Sequence, residues 1–269
     1  MKKFDNIVIC SDIDGTLLTS EHQIHPSNLE AIAYFRENGG KFTIATGRNL
    51  RSVSRYAEVL KPDLPIIVAN GCAIVDFENG EYLWETSMPA QGEAFVHQII
   101  SDFPEVCVAL VNHEDTFFLT DSQEGREFRA IEKLPFRMAE LEQVSKPWLK
   151  LISCQNEIKT GIVRDAYRGT EWEKHFKFVR SGPTYFEALH KNANKGVALK
   201  QLAKLCGFSL EKTVALGDNE NDCEMLATAG IGCAMGNATA EAKEKADIIT
   251  SSNNAGGVAD LIYKLESLF

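Results

Sequence analysis

Ile7-Val8-Ile9-Cys10-Ser11-Asp12-Ile13-Asp14-Gly15-Thr16 is the stretch on which the reading of the fold turns. Ile7 to Cys10 is a short apolar run rich in β-favouring residues, as expected for a buried strand. Two carboxylates, Asp12 and Asp14, follow it at once. A turn with capping aspartates would account for such a pair by itself. In open α/β sheets, however, ligands bind beyond the carboxyl ends of the strands, where this pair would lie.

The neighbouring sequence continues the rhythm. Ser27 to Glu30 fits a capping box, with Pro26 just before it, and predicts a helix carrying Leu29, Ile32 and Ala33. Asn38-Gly39-Gly40 ends that helix with residues that tolerate left-handed geometry. Strand Lys41–Ala45 follows, then a helix with Leu50, Val53, Ala57 and Leu60 on one face, then strand Ile66–Ala69. Strand, helix, strand, helix, strand predicts a parallel sheet with crossover helices.

After Asn70-Gly71 the pattern changes. Strands are expected at Tyr82–Trp84, Val106–Val111, Thr116–Leu119, Trp148–Cys154, Lys177–Arg180 and Tyr185–Leu189, with helices at Ala90–Ser101 and Arg164–His175. The α/β rhythm resumes near Asn194. Lys195–Leu205 reads as a helix closed by Gly207, Thr213–Leu216 as a strand and Asn221–Ala229 as a helix. Ile231–Ala234 and Ile248–Thr250 read as further strands. The fold class is therefore α/β: a Rossmann-like parallel-sheet core, 1–84 and 186–269, around an inserted α+β unit, 85–185.

Composition sets the outer limits. The chain has 269 residues, enough for one to two domains with a sizeable core, and its net charge is −10. That acidity argues against a nucleic-acid partner. No apolar run reaches membrane-spanning length and the N-terminus turns acidic early, so a cytoplasmic protein without a membrane partner is expected. Cys10, Cys72, Cys107, Cys154, Cys206, Cys223 and Cys233 form no CxxC pair and read as reduced, mostly buried thiols.

Four polar clusters follow strands or open helices. In Asp12-Ile13-Asp14-Gly15-Thr16, one carboxylate can attack phosphorus and the other can act as general acid and base. Thr46-Gly47-Arg48 offers a hydroxyl and backbone N–H groups at an expected helix start, an anion site. Arg48 binds substrate or pairs with a carboxylate. In Asn194-Lys195-Gly196, a lysine sits at a helix N-terminus, against the dipole, unless anions lie near it. Gly217-Asp218-Asn219-Glu220-Asn221-Asp222 adds more carboxylates. Asp12, Asp14, Asp218 and Asp222 in one crevice would repel one another, so a divalent cation and a lysine are needed. Magnesium, a hard ion that takes oxygen ligands, suits them.

These four motifs, in this order, resemble those of the haloacid dehalogenase (HAD) superfamily, most closely its Cof-type, subfamily IIB phosphatases. The long gap between the second and third motifs matches a family with a large cap domain inserted there. The resemblance implies that Asp12 is the nucleophile and a magnesium ligand. Asp14 is implied as acid/base, with a backbone carbonyl on the metal. Thr46, Gly47, Lys195 and Asn221 are implied to bind phosphate, Lys195 also orienting Asp12. Asp218 is implied as the acidic metal ligand and Asp222 as support for the site. Asn70-Gly71 matches a common family position near the cap hinge.

The activity expected is Mg2+-dependent hydrolysis of small phosphorylated metabolites, sugar phosphates foremost, through an aspartyl-phosphate. Phosphomutase-type transfer and a non-catalytic phosphate sensor are the alternatives. His113, Arg126 and Lys150 are candidate substrate contacts, each more simply read as a surface residue. Oligomeric state is not legible.

Overall fold

The decisive run forms strand β1 (Val8–Ser11) of the computed structural model, which describes residues 2–135 and 137–267. Helix α1 (Pro26–Glu37), β2 (Lys41–Ile44), α2 (Leu50–Leu60) and β3 (Ile66–Val68) follow. Then come β4 (Ala73–Asp76) and β5 (Glu81–Glu85). The insertion comprises α3 (Gly92–Asp102), β6 (Cys107–Asn112), β7 (Thr116–Phe118), α4 (Gln123–Glu132), β8 (Trp148–Cys154), α5 (Glu157–Tyr167), β9 (Phe176–Gly182) and β10 (Tyr185–His190). The chain closes with α6 (Lys195–Cys206), β11 (Thr213–Gly217), α7 (Cys223–Leu226), β12 (Ile231–Ala234), α8 (Ala240–Lys245), β13 (Ile248–Ile249) and α9 (Gly257–Leu265).

Two compact units result. One holds the chain up to Thr46, Arg55–Trp84 and the chain from Asn194 on; the other holds Gly47–Ser54 and Glu85–Ala193. The first unit is built on a parallel sheet in the order β13-β12-β11-β1-β2. Every residue of β1 is buried, which is why the strand reads as a continuous apolar run rather than an alternating one.

The third expected strand does not continue that sheet. β3 pairs antiparallel with β4, and a single parallel bridge, Ala45 to Ile67, links it to the end of β2. The N-terminus of α1 also differs from expectation. Pro26 lies inside the helix at its first turn, and the cap is His25, whose ring accepts from the Ser27 N–H. The Ser27–Glu30 capping box therefore does not form the start.

In the inserted unit, an antiparallel sheet runs β7-β6-β8-β10-β9. One face packs Leu110, Leu151, Phe186 and Ala188 against Phe95, Val96 and Ile99 of α3 and Val163 and Tyr167 of α5. The other face packs Cys107, Ala109, Ile152 and Cys154 against Phe128 of α4. The expected helix at 164–175 is displaced: α5 starts at Glu157 behind the Asn156 cap and stops at Tyr167. The expected return to the core at 186 is early as well. β10 hydrogen-bonds between β8 and β9, and the first unit resumes at Asn194.

Lys150 is not a surface residue. It lies on the α4 face of the inserted sheet, buried, by the strict alternation that also places Ile152 and Cys154 there. Its ammonium donates to Glu187 Oε2 at 2.7 Å and to the Gly47 carbonyl at 2.8 Å. The Ser181 hydroxyl donates to the other Glu187 oxygen at 2.6 Å. One buried cation thus meets one buried anion, with both ends hydrogen-bonded.

Breaking such a pair strands a charge, whereas replacing both partners does not. Lys150→Ala is expected to cost about 3–5 kcal/mol in urea unfolding. Lys150→Met combined with Glu187→Leu is expected to recover most of that loss. A double variant as unstable as the single one would exclude the ion pair as the cause.

Candidate active site

β1 and β11 are hydrogen-bonded neighbours, with Ser11 opposite Leu216. The Asp12 N–H continues the ladder to the Leu216 carbonyl at 2.9 Å. Asp12 and Asp218 therefore leave the carboxyl ends of adjacent strands, where α/β sheets place their ligand sites. Asp14 follows in the turn Ile13–Leu17, partly exposed.

Lys195 opens α6 behind the Asn194 cap, whose side chain accepts from the Val197 N–H at 2.8 Å. It is completely buried. Its Nζ donates to Asp12 Oδ1 at 2.5 Å and to Asp222 Oδ1 at 2.6 Å. Two carboxylates thus offset the unfavourable helix-terminal position. Asp222 Oδ2 is committed too, accepting the N–H groups of Asp218 and Asn219 at 2.9 and 3.1 Å. The expected helix at Asn221 begins instead as a 3-10 turn, Glu220–Asp222, and α7 starts at Cys223.

The carboxylates divide into committed and uncommitted oxygens. Asp218 Oδ1 accepts from the Thr16 hydroxyl at 3.1 Å. Asp218 Oδ2 and Asp12 Oδ2 take no side-chain or backbone hydrogen bond among the described residues. One oxygen each of Asp12, Asp218 and Asp222 lies within 4.8 Å of the others. Gly15, at φ +78°, leaves the room: a Cβ there would sit 2.4 Å from Asp218 Oδ2.

The electrostatics follow from this packing. Burial pushes the Asp218 carboxyl up to about 7, helped by the charge of Asp222. Burial also raises Asp12 well above the usual carboxylate range; Lys195 pulls it back, while Asp222, Asp218 and Asp14 push it further up. Burial works to lower Lys195, but the two carboxylates prevail and hold it above the ordinary lysine value. Three clustered acids against one ammonium leave surplus buried negative charge. Hard, uncommitted oxygens and that surplus fit a divalent cation such as magnesium. Asp222, saturated by Lys195 and two backbone N–H groups, fits an anchoring role and not a ligand role.

The second motif is split. Thr46, buried, sits just past β2; its N–H donates to the Ile67 carbonyl at 2.9 Å and its carbonyl accepts from the Asn70 N–H at 2.9 Å. Gly47 and Arg48 group with the inserted unit. The Gly47 carbonyl takes Lys150, and Arg48 pairs with Glu132 at 2.5 Å, buried, so it is the carboxylate-paired arginine of the two readings. The helix N-terminus expected at Thr46-Gly47-Arg48 lies further on. α2 begins at Leu50, with Asn49 Oδ1 accepting from the Ser52 N–H at 2.7 Å.

Asn221 Nδ2 donates to Asn70 Oδ1 at 2.8 Å, in the first unit. Thr16 and Asn70 thus touch proposed site residues, and nothing in the sequence pattern singled out either contact. His113 pairs with Glu85 at 2.5 Å, and Arg126 with Asp121 at 2.5 Å on the surface. The cysteines are all free; Cys206 and Cys223 are only partly buried.

A family model described as haloacid dehalogenase-like hydrolase matches residues 9–262. The chain belongs to this family. Its α/β fold, with the parallel sheet and inserted α+β unit, is the HAD fold that the motifs led us to expect. The chain is 31% identical to the 5-amino-6-(5-phospho-D-ribitylamino)uracil phosphatase YcsE of Bacillus subtilis, covering 95% of this chain and 94% of that one. It is 28% identical to the pyridoxal phosphate phosphatase YbhA of Escherichia coli, covering 95% and 97%. A solved HAD subclass IIB sugar phosphatase, BT4131, shares the fold at TM-score 0.82 and 24% identity, covering 96% and 98%. Among the described residues no helix is long and apolar enough to cross a membrane.

Removing the buried cation exposes the surplus charge. Lys195→Ala is expected to lose about 3–5 kcal/mol of stability at pH 8. The loss is expected to shrink at pH 5, where the deserted carboxyls can take up protons. Urea midpoints at the two pH values check this; an equal loss at both would exclude the charge surplus as its source.

Proposed function

We propose that this HAD-family hydrolase is a Mg2+-dependent phosphatase of small phosphorylated metabolites, sugar phosphates foremost, working through an aspartyl-phosphate. The observation that carries the reading is Lys195, locked between Asp12 and Asp222 beside the uncommitted oxygens of Asp12 and Asp218. Family membership and relatives named as phosphatases of two different small phosphate esters support the substrate class.

Asp12, Asp218 and the Asp14 carbonyl are the proposed magnesium ligands. The bound ion would supply positive charge that lets one anion approach another. Lys195 fixes the Asp12 carboxylate through Oδ1 and so orients it for attack on phosphorus. The P–O bond to the substrate alcohol breaks as the Asp12–phosphorus bond forms, and Asp14 gives the leaving oxygen its proton. Asp14 then takes a proton from water as that water attacks phosphorus, releasing inorganic phosphate and restoring Asp12. Thr46, Gly47 and Asn221 are proposed to hold phosphoryl oxygens, with the third N–H of Lys195, since an ammonium has three donors and two are committed. The inserted unit is proposed as the cap that selects the substrate.

Turnover of p-nitrophenyl phosphate with Mg2+ tests this directly. Asp12→Asn is expected to lower kcat by at least about 10³-fold, as loss of a covalent nucleophile does. Undiminished turnover would exclude the mechanism. Free phosphate released in step with substrate loss separates hydrolysis from mutase-type transfer.

Magnesium dependence has a second signature. The Asp218 pKa is raised on folding from 3.8 to about 7, so the folded state binds the extra proton in that window. Stability of the metal-free protein from this group is therefore present below pH 3.8 and lost as pH rises to 7. A cation that binds the ionised carboxylates should reverse the loss. The rise in melting temperature on adding Mg2+ is expected to be larger at pH 8 than at pH 5. An equal rise at both, or none, would count against these ligands.

A further inference from the structure

Ala69, Asn70 and Gly71 all stand in the left-handed region, at φ +51°, +57° and +87°. Glycine takes that region freely and asparagine tolerates it, but alanine does not. Strain of this kind persists only where surrounding contacts over-determine it, and it collects at functional sites. All three residues are buried, in the first unit.

This strained turn meets three of the four motifs. The Asn70 N–H donates to the Thr46 carbonyl at 2.9 Å. Gly71 lies so close to the peptide before Lys195 that a Cβ would fall 2.3 Å from the Asn194 carbonyl and 2.6 Å from the Lys195 nitrogen. Asn70 Oδ1 accepts from Asn221 Nδ2 at 2.8 Å.

The last contact has a chemical consequence. A side-chain amide has two N–H donors and one carbonyl acceptor, and either end can face a given partner. Only the NH₂ end can bond an acceptor, so Asn70 Oδ1 fixes the Asn221 amide in one of its two flips. One N–H is held by Asn70, and the second remains for an anion. Asn221 Oδ1 is buried with no hydrogen-bond partner among the described residues. That end is therefore not what holds the amide in place.

Resting on the phosphatase reading, we propose that Asn70 is a positioning residue that presents an Asn221 N–H to the phosphoryl group, on a backbone turn that also braces Thr46 and Lys195.

Asn70→Gly separates side chain from backbone, since glycine keeps φ +57° without cost. A double-variant cycle uses the full-length protein, wild type, Asn70→Gly, Asn221→Ala and both together. Inorganic phosphate binding by calorimetry with Mg2+, kcat/KM on p-nitrophenyl phosphate and melting temperature are the readouts. Asn70→Gly is expected to weaken phosphate binding and kcat/KM about tenfold, the scale of a small misplacement of a binding group. Its melting temperature should stay near wild type. The double variant should be no worse than Asn221→Ala alone, because contacting residues that act through one another are non-additive.

Wild-type phosphate affinity in Asn70→Gly, losses that multiply in the double variant, or losses that merely track a fallen melting temperature would overturn the proposal. If wild type binds phosphate but turns over no ester, the phosphatase reading fails while the binding cycle still decides the role of Asn70. A wild type that binds no phosphate overturns both.

Discussion

Lys195 buried between Asp12 and Asp222 is the interaction on which the architecture of the candidate site depends. It ties three sequence-distant segments: the end of β1, the start of α6 and the loop after β11. A lysine with no exposed surface is tolerated only because two carboxylates meet it directly. Those carboxylates are in turn ordered: Asp222 by backbone N–H groups, Asp12 by its place at the end of a wholly buried strand. Asp218 joins them with no salt bridge of its own among the described residues.

The inserted unit offers a contrast. Lys150 faces one carboxylate, Glu187, whose other oxygen is satisfied by Ser181. The ammonium and both carboxylate oxygens are hydrogen-bonded there, so the pair has the character of a structural joint. Around Lys195 the acids outnumber the ammonium, and two carboxylate oxygens take no hydrogen bond among the described residues. The same residue type, equally buried, faces one carboxylate in one unit and is outnumbered by carboxylates in the other. The difference lies in the count of neighbouring acids and in how many of their oxygens are already taken.

Much of this was readable from the residues alone. β1, β2, β11 and β12 are short buried runs ending in polar clusters, and parallel strands buried on both faces announce themselves that way. The crowding of Asp12, Asp218 and Asp222 followed from those strand ends. Other features were hidden for physical reasons. α4 buries only Phe128 and Gly125, too few apolar positions to show a period. α5 exposes Ile158 and Ile162 while burying Thr160 beside Val163 and Tyr167, so two of its apolar residues point away from the core and blur the period. β3 looks like a parallel-sheet strand, yet its partner is β4, a tertiary choice that composition does not reveal. Lys150 reads as a surface lysine because nothing local shows that Glu187 stands beside it. Thr16 and Asn70 act through single contacts to residues far along the chain, which no spacing rule captures.

The pairing of β1 with β11 carries one more consequence. Lys195 and Asp12 are separated by 183 residues of chain, and Thr16 and Asp218 by 202. During translation, Asp12 is made before the insertion and waits through the whole of it before its partners exist. Contacts of such sequence span are slow to close. The inserted unit, whose own strands pair with near neighbours, can fold while the ribosome is still at work. The cluster of Asp12, Lys195 and Asp222 is thus assembled only after β11 and the turn behind it have been made, and an interrupted product lacking β11 carries Asp12 and Asp14 without that cluster.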